Sequence, residues 1–177
     1  MTLRCHRLRT VFVLAAFLAG LVAGVPGAGA GSAEVPIAII VSSEWESIDR
    51  VGVRELQRIY LRNSNKLAGV TLLPVDHPPS SEIYEAFRSQ VVRKPRKALA
   101  DYWLEQALTG GMHPPRQLED AGAIIDFVAR HVGAIAYVGL DALESSGNSG
   151  VKAVALAQRV GVVRPSQSGY ALTYTKP

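Results

Sequence analysis

The chain has 177 residues and a formal net charge of +4, from 19 Lys and Arg against 15 Asp and Glu. Three of the basic residues, Arg4, Arg7 and Arg9, precede Ala33, and all the acidic residues follow it. The remainder is nearly neutral, and its basic residues are interspersed with carboxylates, which excludes the clustered basic face of a nucleic-acid-binding protein. The one dense basic run, residues 93–97, is interpreted as solvated charge between two helices, with a phosphate-contacting role as the lesser alternative. We therefore predict no nucleic-acid partner.

The N-terminus has the pattern of a secretory signal peptide. Its arginines precede an apolar run over residues 11–25, and small residues around Ala30 suit a signal peptidase. A signal anchor is the alternative, but the run is shorter than the roughly 20 apolar residues that span a bilayer. We predict a signal peptide over residues 1–30, with cleavage after Ala30 or Ala33, and a periplasmic or otherwise exported protein.

Strands and helices are predicted to alternate from residue 35 onwards. Residues 35–41 form a continuous apolar, β-branched run, which is typical of a strand buried on both faces. Apolar residues at helical spacing predict a short helix over residues 51–61. Residues 70–75 predict a second strand, which ends or lies at an edge because Pro74 removes a ladder donor.

Three helices are predicted beyond the second strand. The first opens at Ser80 or Ser81, which are candidate N-caps, and the third covers residues 120–131. The second begins at Pro95, which a first helical turn tolerates, and it ends at Gly110. The side chains of this second helix that are expected to face the core are Leu99, Trp103, Leu104 and Leu108.

Two further strands, over residues 134–138 and 151–156, complete the predicted domain. Alternating strands and helices favour a mostly parallel sheet that is covered on both faces. We therefore predict a single-domain, three-layer α/β/α fold over residues 34–156, with a mostly parallel or mixed sheet. Residues 157–177 form a tail that is either an edge strand or disordered.

Four segments of the chain have an informative order and spacing: residues 56–61 (LQRIYL), 73–87 (LPVDHPPSSEIYEAF), 100–108 (ADYWLEQAL) and 133–138 (GAIAYV). Together they resemble one lobe of the phosphate ABC transporter substrate-binding proteins. The resemblance implies a compact, single-lobe relative of the type II periplasmic binding proteins, with a non-enzymatic role and no cofactor or metal. It also implies phosphate or a related oxyanion as the ligand, and an ABC transporter permease or another periplasmic protein as the partner.

Two serine-rich turns and a histidine form the candidate ligand site. Ser42 and Ser43 follow the first strand. Ser80 and Ser81 follow the second, and His77 lies three residues before Ser80. Open α/β sheets bind ligands beyond the carboxyl ends of their strands, and helix N-termini favour anions. We therefore predict that both turns meet at one edge of the sheet and cradle the anion. The alternative is capping or turn chemistry for the serines and a structural role for the histidine.

Acidic residues near the second turn support a rival function. Asp76 stands where the resemblance leads us to expect an arginine, and Glu82 and Glu85 lie in the first helical turn. Carboxylates at these positions oppose an anion. The rival is a periplasmic protein-interaction or sensor module that has lost ligand binding. Trp45 is expected to be a cleft wall or a partner contact.

The sequence contains no enzyme motif that we recognise. It lacks a Gly-x-Ser-x-Gly elbow, a glycine-rich phosphate loop followed by Lys, and a His-Glu-x-x-His helix. The one cysteine, Cys5, lies in the predicted signal peptide. His77 and Ser80 share one proline-rich turn in which Asp76 is the only identifiable third group. We therefore predict a binding protein and not an enzyme.

Overall fold

The computed structural model describes residues 33–110, 112–158 and 161–176. The predicted signal peptide over residues 1–30 lies outside these ranges. The strands are β1 (Ala33–Ser42), β2 (Arg50–Gly52), β3 (Lys66–Leu67), β4 (Val70–Thr71), β5 (Leu73–Asp76), β6 (Arg116–Gln117), β7 (Ala134–Gly139), β8 (Val151–Gln158), β9 (Gly161–Val163) and β10 (Thr173–Lys176). The helices are α1 (Val53–Tyr60), α2 (Glu82–Phe87), α3 (Arg96–Gly110), α4 (Ala121–Arg130) and α5 (Leu140–Ser146), and a π-helical turn (Arg88–Val92) extends α2.

One mixed sheet forms the middle layer, with the strand order β2-β8-β1-β7-β5-β6. Strands β7, β5 and β6 are parallel to one another, and β2 is parallel to β8. Strand β1 lies at the centre and is antiparallel to both of its neighbours, β7 and β8. Strand β9 pairs with β8, and β3 with β4 forms a separate small hairpin. The predicted α/β class with a mixed sheet is confirmed.

Strand β1 is buried on both faces, as its unbroken apolar sequence predicts. Every residue from Ile37 to Ser42 is buried. Ile37 and Ile39 pack in the core cluster that contains α1 and α2, whereas Ala38 and Ile40 pack in the cluster that contains α4. The alternation of side chains along this strand therefore holds the two helical layers on opposite faces of the sheet.

Helix α4 illustrates how the local sequence sets an element. The carboxylate of Asp120 accepts a hydrogen bond from the N–H of Ala123 at 2.8 Å and so caps the N-terminus. At the other end, His131 Nδ1 lies 2.7 Å from the carbonyl oxygen of Phe127, and the two rings stack with centroids 4.0 Å apart.

Among the described helices, none is long and apolar enough to cross a membrane.

Two predictions about buried side chains need correction. On α3, Leu104 is 63% exposed and Leu108 is 78% exposed, so only Leu99 of the four expected core residues is buried and Trp103 is half-buried. The helix has the expected spacing, but no described element covers its C-terminal half. Trp45 is only 2% exposed and lies in the core beside α1, so it is not a cleft wall.

The C-terminal segment returns to the centre of the sheet. Strand β10 pairs antiparallel with the first four residues of β1. The N–H of Ile37 donates to the carbonyl oxygen of Leu172 at 2.8 Å, and the hydroxyl of Tyr170 donates to the carbonyl oxygen of Ile37 at 2.7 Å. The packed unit therefore continues past residue 156, the expected limit of the domain.

Gly133 joins α4 to β7 at a position where a side chain does not fit. Its φ is +94°, and a Cβ built there would lie 2.3 Å from the carbonyl oxygen of Thr71. We expect Gly133→Ala to lower the free energy of unfolding by about 2–4 kcal/mol, because both the backbone conformation and this contact oppose a methyl group. Urea denaturation measures the loss.

Gly147→Ala is the matched control. Gly147 also has a positive φ, +58°, but no atom lies within 4 Å of a Cβ built there. This variant should lose only about 1 kcal/mol, the cost of the left-handed conformation alone. Equal losses in the two variants would show that the contact with Thr71 is relieved without cost.

Candidate functional site

A cavity of about 280 Å³ lies where β5 and β6 end. Strand β5 ends at Asp76 and β6 ends at Gln117, and both residues line the cavity. Residues of α1, α2, the π-helical turn and α3 form most of the remaining wall, and Pro79, Pro114 and Pro115 complete it. The aromatic residues of the lining are Tyr60, Tyr84, Phe87 and Trp103, and the charged ones are Asp76, Arg88 and Arg96. The carboxyl ends of strands are where open α/β sheets bind ligands, so this cavity is the candidate site.

Asp76 is a carboxyl group with no cation beside it. Its Oδ1 accepts hydrogen bonds from the backbone N–H of His77, at 3.0 Å, and from the hydroxyl of Tyr137. Its Oδ2 has no hydrogen-bond partner among the described residues, and none of their Lys, Arg or His side chains lies within 4.0 Å of the carboxyl group. Asp76 therefore presents one unpaired carboxyl oxygen at the cavity.

Burial raises the pKa of Asp76 to about 6, and the hydrogen bonds from Tyr137 and His77 offset part of that rise. The same carboxyl group raises the pKa of the Tyr137 hydroxyl, although burial is the larger cause there. Asp76 thus changes charge close to neutral pH, at the floor of the cavity. No three His, Cys, Asp or Glu side chains of the described chain gather into a metal site around it or elsewhere.

Three aromatic rings pack together in a cluster that includes Tyr137, a hydrogen-bond donor to Asp76. Phe87 of α2 stacks on Tyr137 of β7, with centroids 3.8 Å apart and planes 4° apart. Tyr60 of α1 meets both rings edge-on, at 4.7 Å from Phe87 and 5.7 Å from Tyr137. Its hydroxyl donates to the carbonyl oxygen of Val75 at 2.9 Å. These contacts pack α1 and α2 against β5 and β7. The ring of Tyr137, which donates a hydrogen bond to Asp76, is therefore held in place.

Glu85 holds two arginines at the rim of the cavity. Arg88 donates to Glu85 Oε2 from Nη2 at 2.6 Å, and Arg96 donates to Oε1 from Nε at 2.6 Å. These guanidinium groups lower the pKa of Glu85, with the hydrogen bond from Arg88 as the largest cause. Arg96 also donates from Nη2 to the carbonyl oxygen of Pro79 at 3.2 Å. A guanidinium group from α3 is therefore placed against the turn that opens α2.

The second serine turn lies at this rim but does not line the cavity. Ser81 is the N-cap of α2: its Oγ accepts from the N–H of Tyr84 at 3.4 Å and donates to the carbonyl oxygen of Pro78 at 2.8 Å. Ser80 is exposed. The turn is thus built by capping chemistry, and Ser80 is the hydroxyl that it presents to solvent.

The first serine turn lies elsewhere, so the predicted common cradle is wrong. Ser42 pairs with Val151 at the start of β8, and Val41 pairs with Ile135 near the start of β7. Because β1 runs antiparallel to β7, and β5 is parallel to β7, the end of β1 lies at the opposite end of the sheet from Asp76. Ser42 is fully buried and accepts from the N–H of Glu44 at 3.3 Å, while the N–H of Ser43 donates to the carbonyl oxygen of Gly150 at 2.9 Å.

His77 has a structural environment and is not part of the cavity lining. It is 5% exposed, and its Nε2 lies 2.9 Å from the carbonyl oxygen of Tyr137. A carbonyl oxygen only accepts, so Nε2 carries the hydrogen in this contact. Burial lowers the pKa of His77, which favours the neutral imidazole. The ring therefore joins the segment after β5 to the neighbouring strand β7, while the backbone N–H of His77 donates to Asp76.

Arg96, Trp103 and Gln117 are cavity residues that sequence reasoning missed. The basic run over residues 93–97 was the only signal for Arg96, and solvated charge was the preferred interpretation of that run. Trp103 was assigned to the core by its helical spacing, although it faces the cavity. Gln117 lies on a strand of two residues, which is too short to leave a periodic pattern.

Asp76→Asn tests whether the buried carboxyl group titrates as its environment implies. An Asp in an unfolded chain titrates near pH 4, so the folded protein binds this proton more tightly. The contribution of Asp76 to the free energy of unfolding is therefore fully present below about pH 4. It falls by at most about 3 kcal/mol as the pH rises through about 6. Asparagine keeps an oxygen that can accept both hydrogen bonds but has no charge to lose. The stability of Asp76→Asn relative to the parent should rise over this interval and then level off in urea denaturation, whereas a difference independent of pH would contradict the assigned pKa.

No family model matches the chain, and no curated protein matches its sequence. Its fold, however, matches solved structures. A phosphate ABC transporter substrate-binding protein of Clostridium perfringens, solved with bound phosphate, superposes with a TM-score of 0.62 at 16% identity, and the match covers 81% of this chain and 54% of that one. An ABC-type phosphate transport receptor of Vibrio cholerae gives 0.61 at 14% identity, with 81% and 55% covered. PstS of Borrelia burgdorferi gives 0.62 at 13% identity, with 81% and 56% covered.

These matches confirm the predicted resemblance at the level of the fold. The chain spans about half the length of the solved proteins it matches. The names of the first two describe phosphate transport and no enzymatic activity. The described residues therefore have the fold of one lobe of a periplasmic binding protein.

Proposed function

We propose that this protein is an exported, non-enzymatic solute-binding protein that takes phosphate or a related oxyanion at the rim formed by Ser80, Ser81 and Arg96. The observation that carries the proposal is the hydrogen bond from Arg96 Nη2 to the carbonyl oxygen of Pro79, at 3.2 Å. It brings a guanidinium group beside two serines at the start of a helix. Guanidinium, hydroxyl and helix N–H groups are the donors that oxyanions accept from in proteins.

The charges at the rim set the strength of this binding. Arg88 and Arg96 share one carboxylate, Glu85, so the three side chains together carry one excess positive charge. An oxyanion must compete with Glu85 for Arg96, whose side chain is 62% exposed and screened by water. The site therefore supports weak, reversible capture by a single lobe. Ser42, Ser43 and His77 have no part in this proposal.

Export and the partner belong to the same proposal. The charged and apolar pattern before residue 30 supports export into the periplasm. A protein that captures an oxyanion there would deliver it to an ABC transporter permease or to another periplasmic protein. The solved proteins with this fold support a role in transport by their names, and one of them holds phosphate.

Arg96→Gln should weaken the binding of phosphate and of sulfate by roughly fivefold, the value of one exposed charge-assisted hydrogen bond. Isothermal calorimetry at low salt, in a buffer without oxyanions, measures it. Lys97→Gln is the control, because it removes the same charge from the next residue, where Lys97 pairs with Asp101 at 2.8 Å. Equal weakening in both variants would indicate a general charge effect and would remove Arg96 from the site.

Ser80→Ala tests the turn itself. If the exposed hydroxyl of Ser80 donates to the oxyanion, its removal should weaken phosphate binding by about 1–2 kcal/mol and leave the free energy of unfolding unchanged. Ser81→Ala should instead cost about 1 kcal/mol of stability, because it removes the N-cap of α2. Unchanged phosphate affinity in Ser80→Ala would exclude that hydroxyl from the site.

The alternative function is a periplasmic protein-interaction or sensor module without ligand binding. It is favoured by Leu104 and Leu108, which lie one turn apart on α3 and are both exposed. Glu82 beside the serine turn and Asp76 at the cavity floor also favour it, because each opposes an anion. A folded sample that gives no heat with phosphate, sulfate or other oxyanions would select this alternative.

A further inference from the structure

We propose that Asp76 and the aromatic lining of the cavity form a subsite for an ammonium group, so that the solute is a small amine that also carries an oxyanion. The inference rests on the proposed solute-binding role and names the solute class of the same site. Asp76 would receive the ammonium group at the floor of the cavity, and Arg96 would receive the oxyanion at the rim. Both residues line the same cavity of about 280 Å³, a volume suited to a small molecule.

The first support is the state of the Asp76 carboxyl group. Tyr137 and the N–H of His77 both donate to Oδ1, and Oδ2 has no donor among the described residues. Asp76 lines the cavity, so a solute bound there can reach its carboxyl group. A carboxyl group in such a place is normally paired, because an isolated buried charge is costly. Within the described chain no cation does this, so a ligand cation is the complementary partner.

The second support is the character of the lining. The rings of Tyr60, Tyr84, Phe87 and Trp103 contribute to the same cavity wall as Asp76. The negative face of an aromatic ring attracts an ammonium group and repels an anion. An oxyanion on its own would therefore avoid this floor, and an ammonium group would find both the carboxylate and the rings favourable.

The third support is the separation of charges between floor and rim. The positive side chains of the lining, Arg88 and Arg96, are tied to Glu85, and neither pairs with Asp76. The two charges of the site thus stay apart and are not neutralised by each other. A zwitterion can satisfy both, because its ammonium and oxyanion groups would meet opposite charges at the two places.

Isothermal calorimetry at pH 7.5 compares the affinities of three phosphonates of nearly equal shape. The protein used is the full chain that follows the predicted signal peptide. The probes are 2-aminoethylphosphonate, 2-hydroxyethylphosphonate and propylphosphonate, which differ only in an ammonium, a hydroxyl or a methyl end group. We expect the amine to bind at least tenfold more tightly than the other two. In Asp76→Asn this preference should disappear, while propylphosphonate should bind as tightly as before or more tightly.

Two variants separate this subsite from a structural role of Asp76. Arg96→Gln should weaken all three probes by the same factor and leave the preference for the amine intact. If Asp76 were only structural, Asp76→Asn would change the three probes equally, and that result would overturn the inference. Equal affinity for the hydroxyl and amine probes would also overturn it, because a neutral donor would then suffice.

The outcomes also separate the inference from the proposed oxyanion function. If phosphate and propylphosphonate bind but the amine gains nothing, the oxyanion function stands and the ammonium subsite fails. If neither phosphate nor any phosphonate binds, the oxyanion function fails, and n-propylamine decides the remaining question. Binding of n-propylamine that is lost in Asp76→Asn would support the subsite, and no binding would overturn it.

Discussion

The arrangement of this protein depends on one strand, β1, which is buried on both faces and runs against the direction of both its neighbours. Its side chains from Ile37 to Val41 alternate between the two helical layers, so the strand holds the layers together. Its direction decides which loops share an end of the sheet. The ends of β5 and β6 meet at the cavity, whereas the turn after β1 lies towards the opposite end of the sheet.

Charge is distributed unevenly between the floor and the rim of the cavity. At the rim, Glu85 engages two guanidinium groups and leaves a modest positive excess. At the floor, Asp76 has hydrogen bonds but no counter-ion among the described residues. The chain thus shares its fold with phosphate-binding proteins, while its cavity carries a carboxyl group at the floor and guanidinium groups at the rim. The difference lies in side chains, and similarity of fold does not report on it.

Much of the fold could be predicted from the sequence. The apolar run of β1, the capped start of α2 and the stripe of α4 are local patterns, and each predicts its element correctly. What local patterns cannot show is the relative direction of strands that are distant in the chain. The two serine turns look alike in sequence, but the antiparallel pairing of β1 with β7 separates them. The prediction of buried side chains on α3 is wrong for a related reason. Helical spacing shows which side chains share a face, but it does not show whether another element covers that face.

The candidate site was harder to predict than the fold. In the sequence Asp76 indicates only an obstacle to anions, because a sequence does not show that a carboxyl group will be buried without a cation. Arg96 lies 17 residues from the carbonyl oxygen that it contacts, and its place beside the turn depends on how α3 packs. The aromatic cluster that holds the hydrogen-bond donor of Asp76 combines Tyr60, Phe87 and Tyr137 from three separate elements. Each is an ordinary core residue in its own segment, and their meeting around Asp76 is a property of the tertiary structure.

The pairing of β1 has a further consequence, for the timing of folding. Its partners β7, β8 and β10 all come from the last third of the chain, about a hundred residues or more after it, and such distant contacts slow folding. The centre of the sheet cannot assemble until residues 134–176 have been synthesised, so β1 waits without its partners. Under the proposed export the chain would cross a membrane before it folds, and this delay would then be an advantage. The same topology that positions the cavity would keep the nascent chain competent for translocation.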